Sequence, residues 1–517
     1  MKSSDVIFYN GRIHFDPSRR STVQALAISE GNVSEVGSSK RIMRLKNRNT
    51  KLINLRNRSV LPGLADSHIH LLGYAMRIQT LDLSNARSIS AIQRVVARAG
   101  SERSRSAWIL GRGWDQEKLR EKRFPTKRDL DVVSNPVFLK RICGHVGVAN
   151  SKALENAVVT DRTLDPEGGV IVRESGTREP NGVLEEGAMS LVDATVPRTS
   201  EDVRPLLIAA SKKLLQMGLT FLHCIIQDLE ELAIIRELKE NGGILQSINA
   251  IIPSRFADRL TRSDANSEAP GNSMRIRAVK VYLDGSLGAR TAALSEPYDD
   301  DPRNSGMLTT SREELTELAE VAKQENFQLC IHAIGDRAVR VAVEVLSHVF
   351  AATTCRRMRH RIEHASVIPS GFIVKMRKLG IVASVQPRFI YSDSWASERL
   401  GKTRLRGLYP FRSLIEEGVH VAAGSDAPVE DPNPFEGIWS AIARPGLAGN
   451  EKLTVGQAIG TYTTGAAFSS FSEGFRGTLR PGRSAEMVVL SSDPFESQTN
   501  DLRKIRVFNA IVDGEFT

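Results

Sequence analysis

Short apolar runs rich in β-branched residues recur along the central part of the chain and alternate with helical patterns. Eight runs have the length and composition of buried strands: VLPGLAD, GLTFLHC, LQSINAII, IRAVKVYLD, FQLCIHA, RHRIEHA, GIVASVQ and VHVAAGSD. Strands that are apolar on both faces and separated by helices are typical of a parallel sheet. The segments LTELAEVAKQENF and AVRVAVEVLSHVF have the i, i+3, i+4 spacing of covering helices. The pattern therefore predicts an α/β fold with a (β/α)₈ TIM-like barrel.

The two ends of the chain alternate apolar and polar residues in short runs that are broken by turn signals. VIFYNGRIHF and ALAISEGNVSEVG lie near the beginning, and GTLRPGRSAEMVVL and IRVFNAIVDGEF lie near the end. Such runs predict antiparallel strands joined by tight turns. We expect residues 1–60 and 478–517 to form one small composite β-sandwich, and residues 61–477 to form the barrel.

The barrel region is much longer than the roughly 250 residues that such a barrel needs. The excess lies between the first two predicted strands, at about residues 88–204, where WILGRGWDQ, FPTKRDLD and NPVFLKRICGHVGVANS match no barrel repeat. We therefore expect an inserted subdomain after the first barrel strand, positioned over the barrel mouth.

The formal net charge is +10, and eight Lys or Arg residues occur between Lys40 and Arg58 without an acidic residue. This stretch lacks the interleaved aromatic residues that stack on bases, so a solvated basic face is favoured and a nucleic-acid partner is not expected. No apolar run approaches the roughly 18 residues of a membrane span, and the N-terminus lacks the apolar core of a signal peptide. We expect a cytoplasmic protein without a membrane partner. Its four widely spaced cysteines are expected to be reduced thiols.

Polar residues follow several of the predicted strands at the end where barrel enzymes carry their chemistry. A His-x-His pair closes the first run, and its two imidazoles point the same way in an extended chain. Such a pair is weak evidence alone, and each later residue has an ordinary alternative as a buried ion pair, a hydrogen-bonded core histidine or a helix cap. Five strand ends carry such groups together, which favours a metal site: His68 and His70, Lys280, His332, His364, and Asp426.

Twelve segments in a fixed order carry a family resemblance over nearly the whole chain. They are PGLADSHIHL, GRGWDQ, FPTKRDLD, GHVGVANSKAL, KVYLDGSLGARTAAL, IHAIGDRAV, HRIEHA, SVQP, AAGSDAPVEDPNPFEGI, ARPG, TYTTGAA and GTLRPGRSAEMVVL. The chain resembles the amidohydrolase superfamily, specifically its amidohydrolase-3 branch, with similarity to N-substituted formamide deformylase. The resemblance implies a metal-dependent hydrolase and indicates the reaction class better than the substrate.

The resemblance also implies a role for each candidate ligand. His68 and His70 match the first-strand metal pair, His332 and His364 match the histidines after strands five and six, and Asp426 matches the eighth-strand aspartate. Lys280 matches the lysine that binuclear relatives carboxylate, so an N6-carboxylated Lys280 predicts two metals and an unmodified one predicts a single metal. We expect one or two divalent transition-metal ions, with zinc as the first expectation.

These roles predict hydrolysis of an amide or related non-peptide C–N bond of a small molecule by metal-activated water. Asp426 would act as the acid-base group, and His364 or His332 would stabilise the oxyanion. Four further residues are candidate substrate contacts, each with a structural alternative: Trp114, Asp115 and His145 of the insert, and Arg290 after the fourth strand.

Two other functions are compatible with the sequence. The same scaffold supports a deaminase or an ester hydrolase, because barrel enzymes change their reactions through their loops. Release of ammonia rather than a carboxylate would distinguish a deaminase. A non-catalytic regulatory or nucleic-acid-associated protein that uses the segment 40–58 is the third possibility, and the intact ligand set argues against it. A homodimer is expected only by analogy.

Overall fold

A computed structural model describes residues 5–17, 21–142, 145–166, 168–196, 200–259, 274–447 and 449–517. The chain divides into two compact units, residues 1–74 with 207–517, and residues 75–206. Cys224, Cys330 and Cys355 are buried free thiols, as predicted. Cys143 lies outside the described residues.

The strands of the described residues form four sheets. In chain order they are β1 (Val6–Tyr9), β2 (Arg12–Asp16), β3 (Ser21–Val23), β4 (Ala25–Ser29), β5 (Asn32–Gly37), β6 (Lys51–Asn54), β7 (Ser59–Pro62), β8 (Leu64–Ile69), β9 (Leu81–Asp82), β10 (Ile109–Trp114), β11 (Val137–Arg141), β12 (Val146–Ala149), β13 (Gly169–Arg173), β14 (Pro180–Glu186), β15 (Leu219–Ile225), β16 (Ser247–Pro253), β17 (Met274–Tyr282), β18 (Gln328–Ala333), β19 (Arg361–His364), β20 (Val382–Val385), β21 (Val421–Ala423), β22 (Met487–Leu490), β23 (Val507–Val512) and β24 (Glu515–Phe516).

Eight parallel strands form the predicted barrel. Their order in the sheet is β21-β20-β19-β18-β17-β16-β15-β8, and each predicted apolar run contributes one strand to this sheet. Backbone hydrogen bonds from Asp426 N to His68 O (2.7 Å) and from His70 N to Ala427 O (2.9 Å) join the first strand to the segment after the last one. The carboxyl ends of all eight strands therefore meet at one opening, as in a TIM-like barrel.

The first predicted run differs from the prediction, because it contributes to two sheets. Ser59–Pro62 forms β7 of a terminal sheet, and the barrel strand β8 begins only at Leu64. Gly63 lies at the crossing, where the Cβ of any larger residue would lie 2.1 Å from Oγ1 of Thr220. The close approach of the second barrel strand thus requires glycine at this position.

Both chain ends contribute to a small β-sandwich, as predicted. One sheet has the order β5-β4-β1-β6, and the other, β24-β23-β22-β7-β2-β3, combines strands from the two ends. Their shared core includes Phe8, Leu26, Val60, Met487 and Ile511, all of which are fully buried or nearly so. The limits 1–60 and 478–517 stay a prediction.

The insert after the first barrel strand has its own sheet, of order β13-β14-β12-β11-β10-β9. Strands β9 to β11 run parallel to one another, and the remaining pairs are antiparallel. Ile92, Val96, Trp114 and Leu139 belong to its hydrophobic core. The fold class is therefore an α/β barrel with a terminal sandwich and an inserted subdomain.

The covering helices follow the predicted apolar spacing. Asp336–Val349 buries Val339, Val343 and Leu346 on one face, and Arg312–Glu325 begins with a capping box formed by Ser311 and Glu314. The described α-helices are Ser39–Ile42, Leu71–Ile78, Ile89–Ser101, Lys127–Leu130, Ser151–Asn156, Ser190–Asp193, Ser200–Gln216, Leu229–Glu240, Arg312–Glu325, Asp336–Val349, Ala352–Met358, Phe372–Leu379, Phe389–Ser392, Ala396–Arg404, Phe411–Glu417, Pro434–Ala443, Val455–Thr461 and Thr464–Ser469.

Within the described part of the chain, no single helix has the length and apolar character needed to cross a membrane. Two consecutive helices, Asp336–Val349 and Ala352–Met358, reach that length and apolar character only when they are taken together, and the chain bends by 116° between them.

Candidate metal centre

Three predicted ligands converge at the carboxyl end of the first and last barrel strands. Nε2 of His68 lies 3.4 Å from Oδ1 of Asp426, and Nε2 of His70 lies 3.3 Å from the same oxygen. Among the described residues, the donor atoms of these three side chains form a group in which all lie within 4.8 Å of one another. Two imidazoles and a carboxylate at this spacing fit a divalent transition metal.

The other three predicted ligands lie directly beside this group. The ring of His364 has its centroid 5.0 Å from that of His68 and 4.4 Å from that of His332. Nζ of Lys280 lies 3.3 Å from Nε2 of His68. The structure thus brings all six side chains to one end of the barrel, with Lys280 next to the first group and the two later histidines beyond it.

A buried ion pair below the site orients His68. Nδ1 of His68 lies 2.5 Å from Oε2 of Glu363 and donates to it, which leaves Nε2 unprotonated and directed at Asp426. Arg361 holds Glu363 through two hydrogen bonds, of 2.7 Å to Oε1 and 3.0 Å to Oε2. Burial alone would raise the pKa of Glu363, but the positive charge of Arg361 lowers it well below its usual range.

Sequence analysis did not identify Glu363 as a residue of the site. A signal for it exists, since Arg361 and Glu363 are two residues apart on β19 and therefore share one face of the strand. That face is the packed barrel interior, where an opposite-charge pair satisfies its own hydrogen bonds. Glu363 is a positioning residue that acts through His68.

Hydrogen bonds also fix the tautomers of the other two histidines. Nδ1 of His364 donates to Oε1 of Gln386 over 2.7 Å. Nε2 of His332 donates to the carbonyl oxygen of Gly285 over 3.0 Å. The second ring nitrogen of each histidine is therefore the unprotonated one, which is the form that binds a metal.

The backbone is held in unusual conformations at two of the ligands. His364 has φ 71° and Asp426 has φ 58°, both in the left-handed region that non-glycine residues rarely adopt. Such conformations typically cost about 1–3 kcal/mol and persist where the surroundings enforce them. Around Asp426 the enforcing contacts include the buried carboxylate of Asp66, which accepts hydrogen bonds from the backbone N (3.0 Å) and Oγ (2.5 Å) of Ser425.

Burial keeps His68, His332 and His364 neutral at physiological pH. Burial, together with the nearby charge of Lys280, lowers the pKa of His68 to about 4 and that of His332 to about 3. Burial also lowers the pKa of Lys280 itself. Burial would raise the pKa of Asp426, but its interactions with His68 and His70 lower it below its usual range. The site therefore presents three neutral imidazoles and the ionised carboxylate of Asp426.

Comparison with known proteins agrees with this arrangement. The amidohydrolase family model, of the amidohydrolase-3 branch, matches residues 51–517. The chain belongs to the amidohydrolase family. YtcJ of Bacillus subtilis strain 168, whose assignment as an amidohydrolase is provisional, is 31% identical over 98% of this chain and 98% of its own.

A solved structure of an uncharacterized metal-dependent hydrolase from Pyrococcus furiosus has a TM-score of 0.81 and 30% identity to this amidohydrolase, covering 95% of this chain and 100% of its own. N-substituted formamide deformylase of Arthrobacter pascens is 26% identical over 99% of this chain and 97% of its own. These relatives support a hydrolase, and together with the His-His-Asp group they support a bound metal.

One predicted substrate contact of the amidohydrolase is wrong. Trp114 is fully buried in the core of the insert, where its indole N–H donates to the carbonyl oxygen of Leu139 over 3.0 Å and its ring packs edge-on against Phe124. A side chain with no exposed surface and a satisfied donor has no group to offer a substrate. Trp114 stabilises the insert.

The other three predicted substrate contacts already have partners within their own units. Asp115 pairs with Arg141 at 3.1 Å, and the exposed His145 lies 3.0 Å from Oε2 of Glu186. Arg290 makes a two-pronged contact with Asp300, at 3.2 and 2.9 Å. Substrate contact by Asp115, His145 and Arg290 stays a prediction.

Proposed function

We propose that this amidohydrolase cleaves an amide or related non-peptide C–N bond of a small molecule. The observation that carries the proposal is the convergence of the imidazoles of His68 and His70 on the carboxylate of Asp426, with His68 orientated by Glu363. His68 and His70 contribute Nε2 atoms to this arrangement, both within 3.4 Å of Oδ1 of Asp426. Two imidazoles and a carboxylate suit hydrolysis by activated water. Nucleophilic catalysis would need a hydroxyl or thiol beside one of these histidines, and the described side-chain contacts of His68 and His70 include neither.

A divalent transition metal, with zinc as the first choice, would be held by His68, His70 and Asp426 and would supply the Lewis acidity that activates water and polarises a carbonyl group. His332 and His364 would hold a second ion. Their N–H groups are already donated to Gly285 and Gln386, so their lone pairs face the site. This favours the ligand role over oxyanion stabilisation for both histidines.

The chemical state of Lys280 determines whether the site suits one metal ion or two. Its ammonium form beside His68 would repel a second cation, whereas an N6-carboxylated Lys280 would carry a negative charge and attract it. Nζ lies 3.3 Å from Nε2 of His68, close enough for a carboxyl group on that nitrogen to reach the ligands around it. We propose the carboxylated form for the two-metal state.

Asp426 carries the proton in the proposed reaction. Its carboxylate accepts a proton from the attacking water and delivers it to the leaving nitrogen as the C–N bond breaks. The products are a carboxylate and an amine. The left-handed backbone at Asp426 holds the carboxylate beside both first-strand histidines, which limits the motion needed for this transfer.

A substrate screen tests the proposal. N-formyl and N-acyl amines, aminated heterocycles and esters would be offered to the enzyme after chelation and again after reconstitution with zinc, manganese, nickel or iron. We expect metal-dependent release of a carboxylate and an amine from an acyl amide. Metal-dependent release of ammonia from heterocycles, or cleavage of esters alone, would replace the proposal with the deaminase or esterase function.

A further inference from the structure

A cleft rich in arginine lies at the end of the barrel opposite the metal centre. Its cavity measures about 1190 Å³, and its walls come from the amino ends of β17, β19, β20 and β21 and from the ends of neighbouring helices. We call it the basic cleft, and its arginines are Arg275, Arg277, Arg356, Arg357, Arg359 and Arg377.

The charge of the basic cleft is strongly unbalanced. Lys378 adds a seventh cation, whereas among the described residues Glu473 is the one carboxylate in the lining, and Glu417 just outside it lies 3.4 Å from Arg377. Glu473 is already engaged, since its Oε1 and Oε2 pair with Arg359 at 2.6 and 3.0 Å. Like charges grouped within a Debye length of about 8–10 Å repel one another, so an anion in the cleft would relieve this repulsion.

Aromatic rings hold two of the arginines in place. The guanidinium carbon of Arg277 lies 3.7 Å from the ring centroid of Phe471, and that of Arg359 lies 3.8 Å from the ring centroid of Phe468. Stacking fixes the plane of each guanidinium, and the pair with Glu473 fixes Arg359 further, so these two side chains form a rigid part of the cleft wall. The floor of the cleft is therefore preorganised.

Stabilisation of helix ends explains why some of the cations of the basic cleft are there, but it does not explain why cations from several elements line one cavity. Arg356 and Arg357 lie in the last turn of Ala352–Met358, and Arg377 and Lys378 lie in the last turn of Phe372–Leu379. Cations there favour the helix dipole. Arg275 and Arg277 belong to a strand, where that explanation does not apply, yet they line the same cavity.

We propose that the basic cleft binds a polyphosphate-bearing anion of nucleotide size. The planar guanidinium matches phosphate oxygens with two parallel hydrogen bonds, and several arginines from different elements suit several phosphates. The cavity volume of about 1190 Å³ is above the roughly 300–1,000 Å³ of typical small-molecule sites and leaves room for more than one phosphate group. The site is separate from the metal centre and belongs to the same compact unit.

Calorimetric titration of the full chain with ATP and with inorganic triphosphate tests the proposal and separates nucleotide from free polyphosphate. We expect both to bind with saturation, and ATP to bind more tightly if its base adds contacts. Arg356→Gln/Arg357→Gln should weaken both by about tenfold or more, because two charge-assisted contacts are lost. Arg377→Gln/Lys378→Gln, on the second helix, should give a similar loss.

The matched control is Arg412→Gln/Lys504→Gln, which removes the same charge from two ion-paired residues outside the cleft. It should bind within about twofold of the parent chain, since distant surface charges are screened. The proposal is overturned if neither anion binds with saturation, or if the control loses as much affinity as the cleft variants. An RNA of about twelve nucleotides that binds at least about tenfold more tightly than ATP would also overturn it, in favour of a nucleic-acid surface.

Discussion

The two ends of the barrel differ in their electrostatic character, although the same strands contribute residues to both. Strand β17 carries Arg275 and Arg277 near its beginning and Lys280 near its end. Burial lowers the pKa of Lys280, which lies beside buried imidazoles at that end. The arginines of the basic cleft stay charged because a guanidinium does not lose its proton in proteins. Depth of burial and residue type therefore distinguish the two ends: the end with the metal centre suits cations, and the end with the basic cleft suits anions.

The largest expected effect is on hydrolysis, at the cation-binding end. Asp426→Asn should reduce kcat by about 10³-fold, within the usual contribution of a general acid-base group, while the imidazole ligands keep the metal largely bound. Turnover of the substrate found by screening, together with the metal content of the same sample, checks this.

Asp501→Asn is a suitable control, since Asp501 is a half-buried acid near the C-terminus that pairs with Lys504, three residues further on. It should turn over at the parent rate. Full activity of Asp426→Asn would show that Asp426 is not the acid-base group.

A smaller effect is expected on metal affinity from the ion pair below the site. Glu363→Gln removes the charge that accepts the hydrogen bond of His68, and loss of such a partner typically lowers metal affinity by about 10–100-fold. Competition with a chromogenic chelator measures it. Glu344→Gln, which breaks the exposed pair with Arg312, serves as the control. Equal metal affinity in Glu363→Gln and the parent chain would show that Glu363 has only a structural role.

Ionic strength should act on one end of the barrel far more than on the other. Raising sodium chloride from about 50 mM to about 500 mM should weaken triphosphate binding by about tenfold, because exposed charges are screened. The buried metal centre is screened much less, so hydrolysis of a neutral amide should change little. Parallel titrations of binding and turnover make this comparison, and equal salt dependence at the two ends would contradict it.

The smallest expected effect is that of basic-cleft variants on hydrolysis, and it tests whether the two ends of the barrel are independent. Arg356→Gln/Arg357→Gln should hydrolyse the amide within about twofold of the parent rate while losing triphosphate affinity, since the charges lie at the far end of the barrel and act only weakly at that range. Steady-state kinetics in the absence of polyphosphate measures this. A proportional fall in both properties would mean that the two ends are not independent.

Much of the barrel could be predicted because its strands are buried on both faces and read as continuous apolar runs. The same property obscured the boundary at Gly63, since both β7 and β8 are buried. The signal for it is the Pro62-Gly63 pair inside VLPGLAD, which lies at the junction of the two strands. Trp114 lies in the Gly-rich segment WILGRGWDQ, which has no clear periodicity, whereas in the structure it ends strand β10 and packs in the insert core.

The six candidate ligands could be selected from the sequence because they share one feature, a position at or near the end of a strand. The role of Glu363 depends instead on His68, which is 295 residues away in sequence. The basic cleft was hidden for the same reason. Its arginines come from a strand and two helices, and its aromatic rings come from the segment around Phe468 and Phe471. Contacts between distant segments are fixed by the fold and leave no local pattern.

Elemental analysis of the reconstituted protein tests the central claim most directly. The parent chain should retain between about one and two divalent transition-metal ions after dialysis, as expected for metal-assisted hydrolases. His70→Ala should retain less, whereas His348→Ala, an exposed histidine of the helix Asp336–Val349, should retain the parent amount. A parent chain that retains no metal, or a His70→Ala variant that retains the full amount, would contradict a metal centre built on His68, His70 and Asp426.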